Sequence, residues 1–154
     1  MAVADDVRQA SEKFYAALNQ MAAGDGSSMD AVWGHGNDVT ALHPIGGRNE
    51  GWDETRTAFE QVGSVASGGQ VRLRDQLIQV GTDLAYEVGI EEGEITMAGE
   101  QVSFDHRVTN IYRRVGGEWK VRTFALRQLT DLGGAQSVAA TDRLVVTWGD
   151  LKRR

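Results

Sequence analysis

The 154-residue chain has no cysteine. That removes disulfides, thiolate nucleophiles and thiolate metal ligands together. Positive charge is in short supply, with 16 Lys and Arg against 22 Asp and Glu, a net charge of -6 and a sequence pI of about 5.0. Apart from Arg113-Arg114 and Lys152-Arg153-Arg154 the basic residues are scattered. A phosphate-driven nucleic-acid surface needs them clustered, so no nucleic-acid partner is expected. No apolar run approaches the roughly 18 residues of a membrane span. The start, MAVADDVRQA, lacks the basic residues followed by an apolar stretch that mark an export signal. The expectation is a cytoplasmic protein with no membrane partner.

Several reaction motifs are missing as well. The glycine pairs Gly46-Gly47, Gly68-Gly69 and Gly116-Gly117 fit neither a phosphate-binding nor a dinucleotide-binding loop, and read as turns. There is no GxSxG nucleophile elbow and no HExxH. His35, His43 and His106, with Asp38, lack metal-ligand spacing, and His35 sits in a glycine-rich turn. Hydride and phosphoryl transfer therefore have no support, and neither a cofactor nor a metal is expected. Glu91, Glu92 and Glu94 flank Gly93, where a solvated hairpin end is expected in place of a carboxylate pair.

What is present is the composition of a soluble globular domain, 41% hydrophobic and 25% charged, long enough for one sizeable core. From Asp5 to about Ala23, Val7, Ala10, Phe14, Ala17, Leu18 and Met21 recur at three- and four-residue steps, one stripe of an amphipathic helix. Ser27 or Ser28 can cap a short second helix from Met29 to Trp33, and a third is expected from about Asp53 to Val65, leaving through Ser67-Gly68-Gly69. Between them a short strand, Val39 to Leu42, runs into His43 and the only proline, Pro44, which pushes its predecessor out of helical geometry. The period then changes. Strands are expected at Val71 to Val80, Leu84 to Glu94, Gln101 to Arg114 and Glu118 to about Arg127, with turns at Gly81-Thr82-Asp83, Met97-Ala98-Gly99 and Gly116-Gly117. Helices first and an antiparallel meander after them is an α+β order, not alternating βαβ units. No internal repeat interrupts it. Residues 1–132 read as a single domain. Residues 133–154 read as an extension that is too apolar at Leu144-Val145-Val146 and Trp148 for a linker, and so docks on the domain or a partner subunit.

This order resembles the nuclear-transport-factor-2-like superfamily, and within it the SnoaL-like branch related to ketosteroid isomerase. The segments that carry the resemblance are FYAALN (Phe14 to Asn19), the Trp33 to Thr40 stretch, HPIGG (His43 to Gly47), EGWDE (Glu50 to Glu54), DLAYEVGIEEGE (Asp83 to Glu94) and RVTNIYRRVGGEWKV (Arg107 to Val121). The resemblance implies a cone-shaped curved antiparallel sheet packed against three N-terminal helices. It also implies a pocket between helices and sheet for a small apolar or aromatic organic ligand, and often a homodimer packed through the outer sheet face. It implies no single reaction, since members include isomerases, dehydratases, cyclases and non-catalytic binding or assembly domains.

Two residues are the catalytic candidates. In ketosteroid isomerases the residue before the corresponding proline is the general-base aspartate, and His43 stands there; an imidazole accepts a proton near neutral pH without tuning. Asn110 falls near the protonated acid that donates to the developing oxyanion, and an amide can donate a hydrogen bond without that acidity. Strand alternation puts Phe104, His106, Val108 and Tyr112 on the face of Asn110, as pocket wall. A register slipped by one puts Asp105, Arg107, Thr109 and Ile111 there instead. Phe14 takes the place of the isomerase helix tyrosine. Tyr15 follows it, turned away by about 100 degrees, which argues against a steroid-type dienolate reaction. Trp33 is a core or pocket-wall residue. Two readings stand together: cofactor-free acid-base chemistry next to a carbonyl (isomerisation, cyclisation or dehydration), with His43 as base and Asn110 as oxyanion donor, or a binding or assembly module without turnover.

Overall fold

The computed structural model describes residues 2–43 and 47–128. Pro44, Ile45 and Gly46, the first glycine of the expected Gly46-Gly47 turn, and the 133–154 extension lie outside the described residues. The elements, in chain order, are helix α1 (Ala2–Ala22), a 3-10 helix (Gly26–Ala31), β1 (Thr40–Leu42), β2 (Arg48–Glu50), α2 (Trp52–Val65), β3 (Ala66–Val80), β4 (Leu84–Met97), β5 (Glu100–Val115) and β6 (Glu118–Gln128). One six-stranded sheet runs in the order β2-β1-β6-β5-β4-β3. β3 to β6 form the antiparallel meander, and β1 joins it parallel to β6, pairing Thr40 with Thr123. The result is the expected α+β cone, an open curved sheet wrapped around helices that fill its concave side.

Helix α1 forms where the apolar stripe predicts it. Val7, Phe14, Leu18 and Met21 are all buried, so one face is committed to the core. Phe14 meets Phe124 edge-to-face at 5.4 Å and Trp33 at 6.5 Å; Trp33 in turn packs against Trp52 and Phe59. Asn19 locks the helix to the sheet, its Oδ1 accepting from the Val71 amide at 2.7 Å and its Nδ2 donating to the Val71 carbonyl at 3.1 Å. That pair of bonds copies the pairing of a neighbouring strand, so the helix satisfies the edge of β3 as a strand would.

Three local expectations need correction. The second helix is a 3-10 turn with Asp25 as its cap, accepting from the Ser27 amide at 3.1 Å. It is held tight because a Cβ on Gly26 would lie 2.5 Å from the Phe59 carbonyl oxygen, leaving only glycine able to seat it against α2. β3 begins at Ala66 directly after α2, so the Ser67-Gly68-Gly69 loop is extended strand, paired with β4 through a register shift between Ala66 and Gly69. Gly93 is no turn either. It lies inside β4, opposite Val71 and Phe104, and a Cβ there would fall 1.9 Å from the Gln70 carbonyl oxygen. The glycine is required by close backbone approach within a bent ladder, a use of glycine that mimics a turn signal in sequence. A second irregularity in β3, between Arg74 and Leu77, adds curvature where the sheet closes over α1. Strand β2 had no signal in the sequence.

Candidate functional site

A cavity of about 930 Å³ opens between the helices and the far end of the meander. Its walls come from Leu18 and Met21 of α1, Ala58, Phe59 and Val62 of α2, Val71 of β3, Ile95 and Met97 of β4, Val102 and Phe104 of β5, and Phe124 and Leu126 of β6. Five polar residues interrupt this apolar lining: His43, Glu91, Ser103, Asp105 and His106. Apolar walls with a few placed polar groups are the usual make-up of a small-molecule site.

Glu91 is the feature that sequence reasoning missed. It is 3% exposed, on the inner face of β4, with Leu73 opposite on β3 and His106 opposite on β5. Burial pushes its carboxyl up to about 7; the Tyr15 hydroxyl bond opposes the shift and the Glu87 charge adds to it. Tyr15 donates to Glu91 Oε2 at 3.2 Å. Burial, then the Glu91 charge, raises the Tyr15 hydroxyl above the ordinary phenol range, so it keeps its proton and remains a donor.

Behind Glu91 runs a buried polar line. Asn110 Nδ2 donates to the Tyr15 hydroxyl at 3.3 Å and to Glu87 Oε1 at 2.9 Å. Tyr112 donates to the same Glu87 oxygen at 3.0 Å, and Gln76 Nε2 donates to Glu87 Oε2 at 2.6 Å. Tyr112 is held well above the phenol range by burial and then by the Glu87 charge. Gln76 accepts from Arg8 at the surface. Glu87, fully buried, is thus met by three donors, which is how a buried carboxylate is tolerated.

The sequence-predicted residues divide. His43 lines the cavity, half-buried, with Nε2 in hydrogen-bond contact with Asn49 Oδ1. Since that amide oxygen can only accept, Nε2 carries the proton and Nδ1 is the nitrogen available as a base. Phe104 and His106 also line the cavity, their rings stacked at 5.1 Å. Desolvation holds the His106 imidazole below its usual pKa, against the pull of Asp105, and its Nδ1 is buried with no partner among the described residues. The even-numbered side of β5 faces inward, from Phe104 through Val108 and Asn110 to Tyr112. Val108 and Tyr112 are fully buried beneath the cavity and Phe14 and Trp33 belong to the aromatic core, none of the four among its lining residues.

Asn110 does not share the cavity with His43. It sits behind Tyr15, both amide hydrogens already given to Glu87 and Tyr15. It therefore positions the tyrosine and does not face a ligand. Tyr15, set about 100 degrees round the helix from Phe14, meets Asn110. The reason is that α1 is covered on two flanks, so Phe14 enters the aromatic core while Tyr15, one step round, reaches the sheet.

An open curved sheet wrapped around helices, with an apolar cavity between them, is the NTF2-like fold. Residues 7–123 match the model of the SnoaL-like domain, and the chain belongs to that family. No curated protein sequence gives a match. Among solved structures, an NTF2-like family protein from Streptomyces avermitilis, provisionally named a dehydratase, superposes with a TM-score of 0.74 at 22% identity, over 84% of this chain and 97% of that one. An NTF2-like superfamily protein from Salmonella enterica gives 0.75 at 12% identity, over 87% and 96%. A protein from Novosphingobium aromaticivorans provisionally named a scytalone dehydratase gives 0.67 at 13%, over 82% and 83%. At these identities the likeness is one of fold. Among the described residues no helix is long and apolar enough to cross a membrane.

Proposed function

We propose that the cavity binds a small, largely apolar organic molecule and that the protein moves a proton on it without a cofactor, Glu91 being the group that exchanges the proton. The observation that carries this is a carboxyl group on an apolar cavity wall with its pKa pushed up to about 7. Such a group is half protonated at neutral pH and serves as acid or base with little driving-force penalty. His43, through Nδ1, supplies a second acid-base group on the same lining. Isomerisation, cyclisation and dehydration next to a carbonyl all need this pair of functions, and dehydration is the reaction named provisionally for two of the fold neighbours.

A second reading is favoured by one observation. Tyr15 and Asn110 spend their donors inside the protein, so neither offers a free oxyanion donor to the cavity. A binding module without turnover would look the same. Solvent deuterium exchange into a panel of enones and aromatic 1,3-diketones separates the readings. Catalysed exchange that falls at least about 100-fold in Glu91→Gln, the usual scale of a lost acid-base group, supports proton transfer. Exchange unaffected by that change removes the role of Glu91, and no catalysed exchange across the panel leaves the binding reading. The same comparison with His43→Ala tests the second group.

We further propose a homodimer through the outer sheet face. Leu77, Leu84 and Tyr86 are exposed on that face, and α1 and α2 pack on the other.

A further inference from the structure

Among the described residues the Asp, Glu, Lys and Arg side chains on the cavity lining are two acids, Glu91 and Asp105. Glu91 lies among apolar walls with one carboxylate oxygen taken by Tyr15, and among the described residues its other oxygen has no hydrogen-bond partner. The second acid on the lining, Asp105, already has a cation, with Arg74 Nη2 at 3.5 Å. Among the described residues no lysine or arginine lines the cavity, so nothing there neutralises Glu91. A buried carboxylate is stable only when paired, and a ligand can provide the missing partner. Phe59, Phe104 and Phe124 line the same space, and aromatic faces attract cations as well. An anionic ligand would meet a like charge in a poorly screened site.

We infer that the cavity accepts an organic molecule carrying a basic nitrogen, an ammonium or protonated imine on an otherwise apolar body, with its N–H donating to the free oxygen of Glu91. This rests on the cavity being a binding site, as proposed above, and not on turnover. It narrows the ligand class to cations over neutral or acidic molecules of the same shape.

The pairing is linked to pH. The titratable groups around Glu91 are Tyr15 from α1, Glu87 on its own strand and His106 opposite on β5, with His43 and Asp105 elsewhere on the lining; Leu73, opposite on β3, is neutral. Tyr15 does not change charge in the range of interest. With the Glu91 carboxyl at about 7, an ammonium prefers the ionised form, and its affinity falls as the pH drops through that value until it reaches the affinity of the protonated cavity. Any charging of His106 in acid acts in the same direction.

The test is calorimetric titration of the full chain with three matched probes: 4-phenylbutylamine, 4-phenylbutanol and 4-phenylbutyrate. At pH 8 the amine should bind at least about tenfold tighter than the alcohol, the increment of one charge-assisted bond, and the carboxylate more weakly than both. At pH 5 the amine affinity should fall to about that of the alcohol, a loss of about tenfold. At pH 7 amine binding should release a fraction of a proton, read from the heats in buffers of different ionisation enthalpy. In Glu91→Gln the amine and alcohol should bind alike and without proton release, the alcohol showing that the variant cavity is intact. The wild-type proton release needs no variant and so stands even if the variant misfolds. Alcohol binding as tight as amine in the wild type overturns the cation inference and leaves the cavity reading in place. Binding by none of the three overturns both. An amine preference that survives Glu91→Gln overturns the role of Glu91.

Discussion

Glu91→Gln is the substitution with the most informative stability profile. A carboxyl that titrates at about 7 in the fold and at 4.5 in an unfolded chain holds a proton in the native state that the unfolded state has already released. Stability is therefore complete below about pH 4.5, declines as the pH rises through that window, and is fully reduced once the pH exceeds the folded value. The gap of roughly 2.5 units at 1.36 kcal/mol each makes the loss about 3 kcal/mol. Glutamine keeps the shape and leaves Tyr15 an acceptor oxygen, but does not titrate. Urea unfolding of both proteins at pH 5 and pH 8 reads the effect as a difference, in which the other titrating groups cancel. With an m-value of about 1.5 kcal/mol/M, the midpoint of the variant relative to wild type should move by about 2 M toward greater stability between the two pH values. Parallel behaviour, with the difference constant to about 0.5 kcal/mol, would refute the claim that Glu91 is a desolvated, titrating acid.

Asn19→Ala removes both bonds to Val71 and leaves the edge of β3 unpaired against α1; a loss of about 2–3 kcal/mol in urea unfolding is expected, and a loss under 0.5 would show that water replaces the clamp. Tyr86→Arg places a charge on the outer face where Tyr86 is 46% exposed. It should convert a dimer to monomer in sedimentation velocity with the melting temperature of the monomer preserved, and an unchanged sedimentation coefficient would exclude that face as the interface.

The helices, the meander and its turns were legible because each rests on a local rule: the three-four stripe of α1, the alternation of β5, the Gly116-Gly117 turn. The buried acids were not legible, and β4 shows why. Its apolar residues Leu84 and Tyr86 point outward, while Ala85, Glu87, Gly89 and Glu91 are buried. A reader of hydrophobic alternation places the wrong side of this strand in the core. The inversion is possible because the partners of the acids come from distant segments: Tyr15 from α1, Gln76 from β3, Asn110 and Tyr112 from β5. Alternation records what faces water; it does not record which polar groups will be satisfied. The small residues at 85, 89 and 93, interleaved with the glutamates, were the available signal, since they leave room on one face only. His43 was legible through its proline, and Asn110 through its strand. Their separation was not, because Tyr15 stands between Asn110 and the cavity.

The pairing of β1 with β6 bears on how the cavity opens. The wall that holds Glu91 belongs to a meander of sequence neighbours, each strand closing on the one before it. The end that holds His43 depends on Thr40 meeting Thr123 across most of the domain, through a strand of three residues. Short pairings of that kind open at lower free energy than the long hairpins beside them. Hydrogen exchange should be faster along β2 and β1 than in β4 and β5, opening at the imidazole end being expected before any opening at the acid. On the proposal that the cavity binds a ligand, entry beside His43 would need no movement of the wall that holds Glu91.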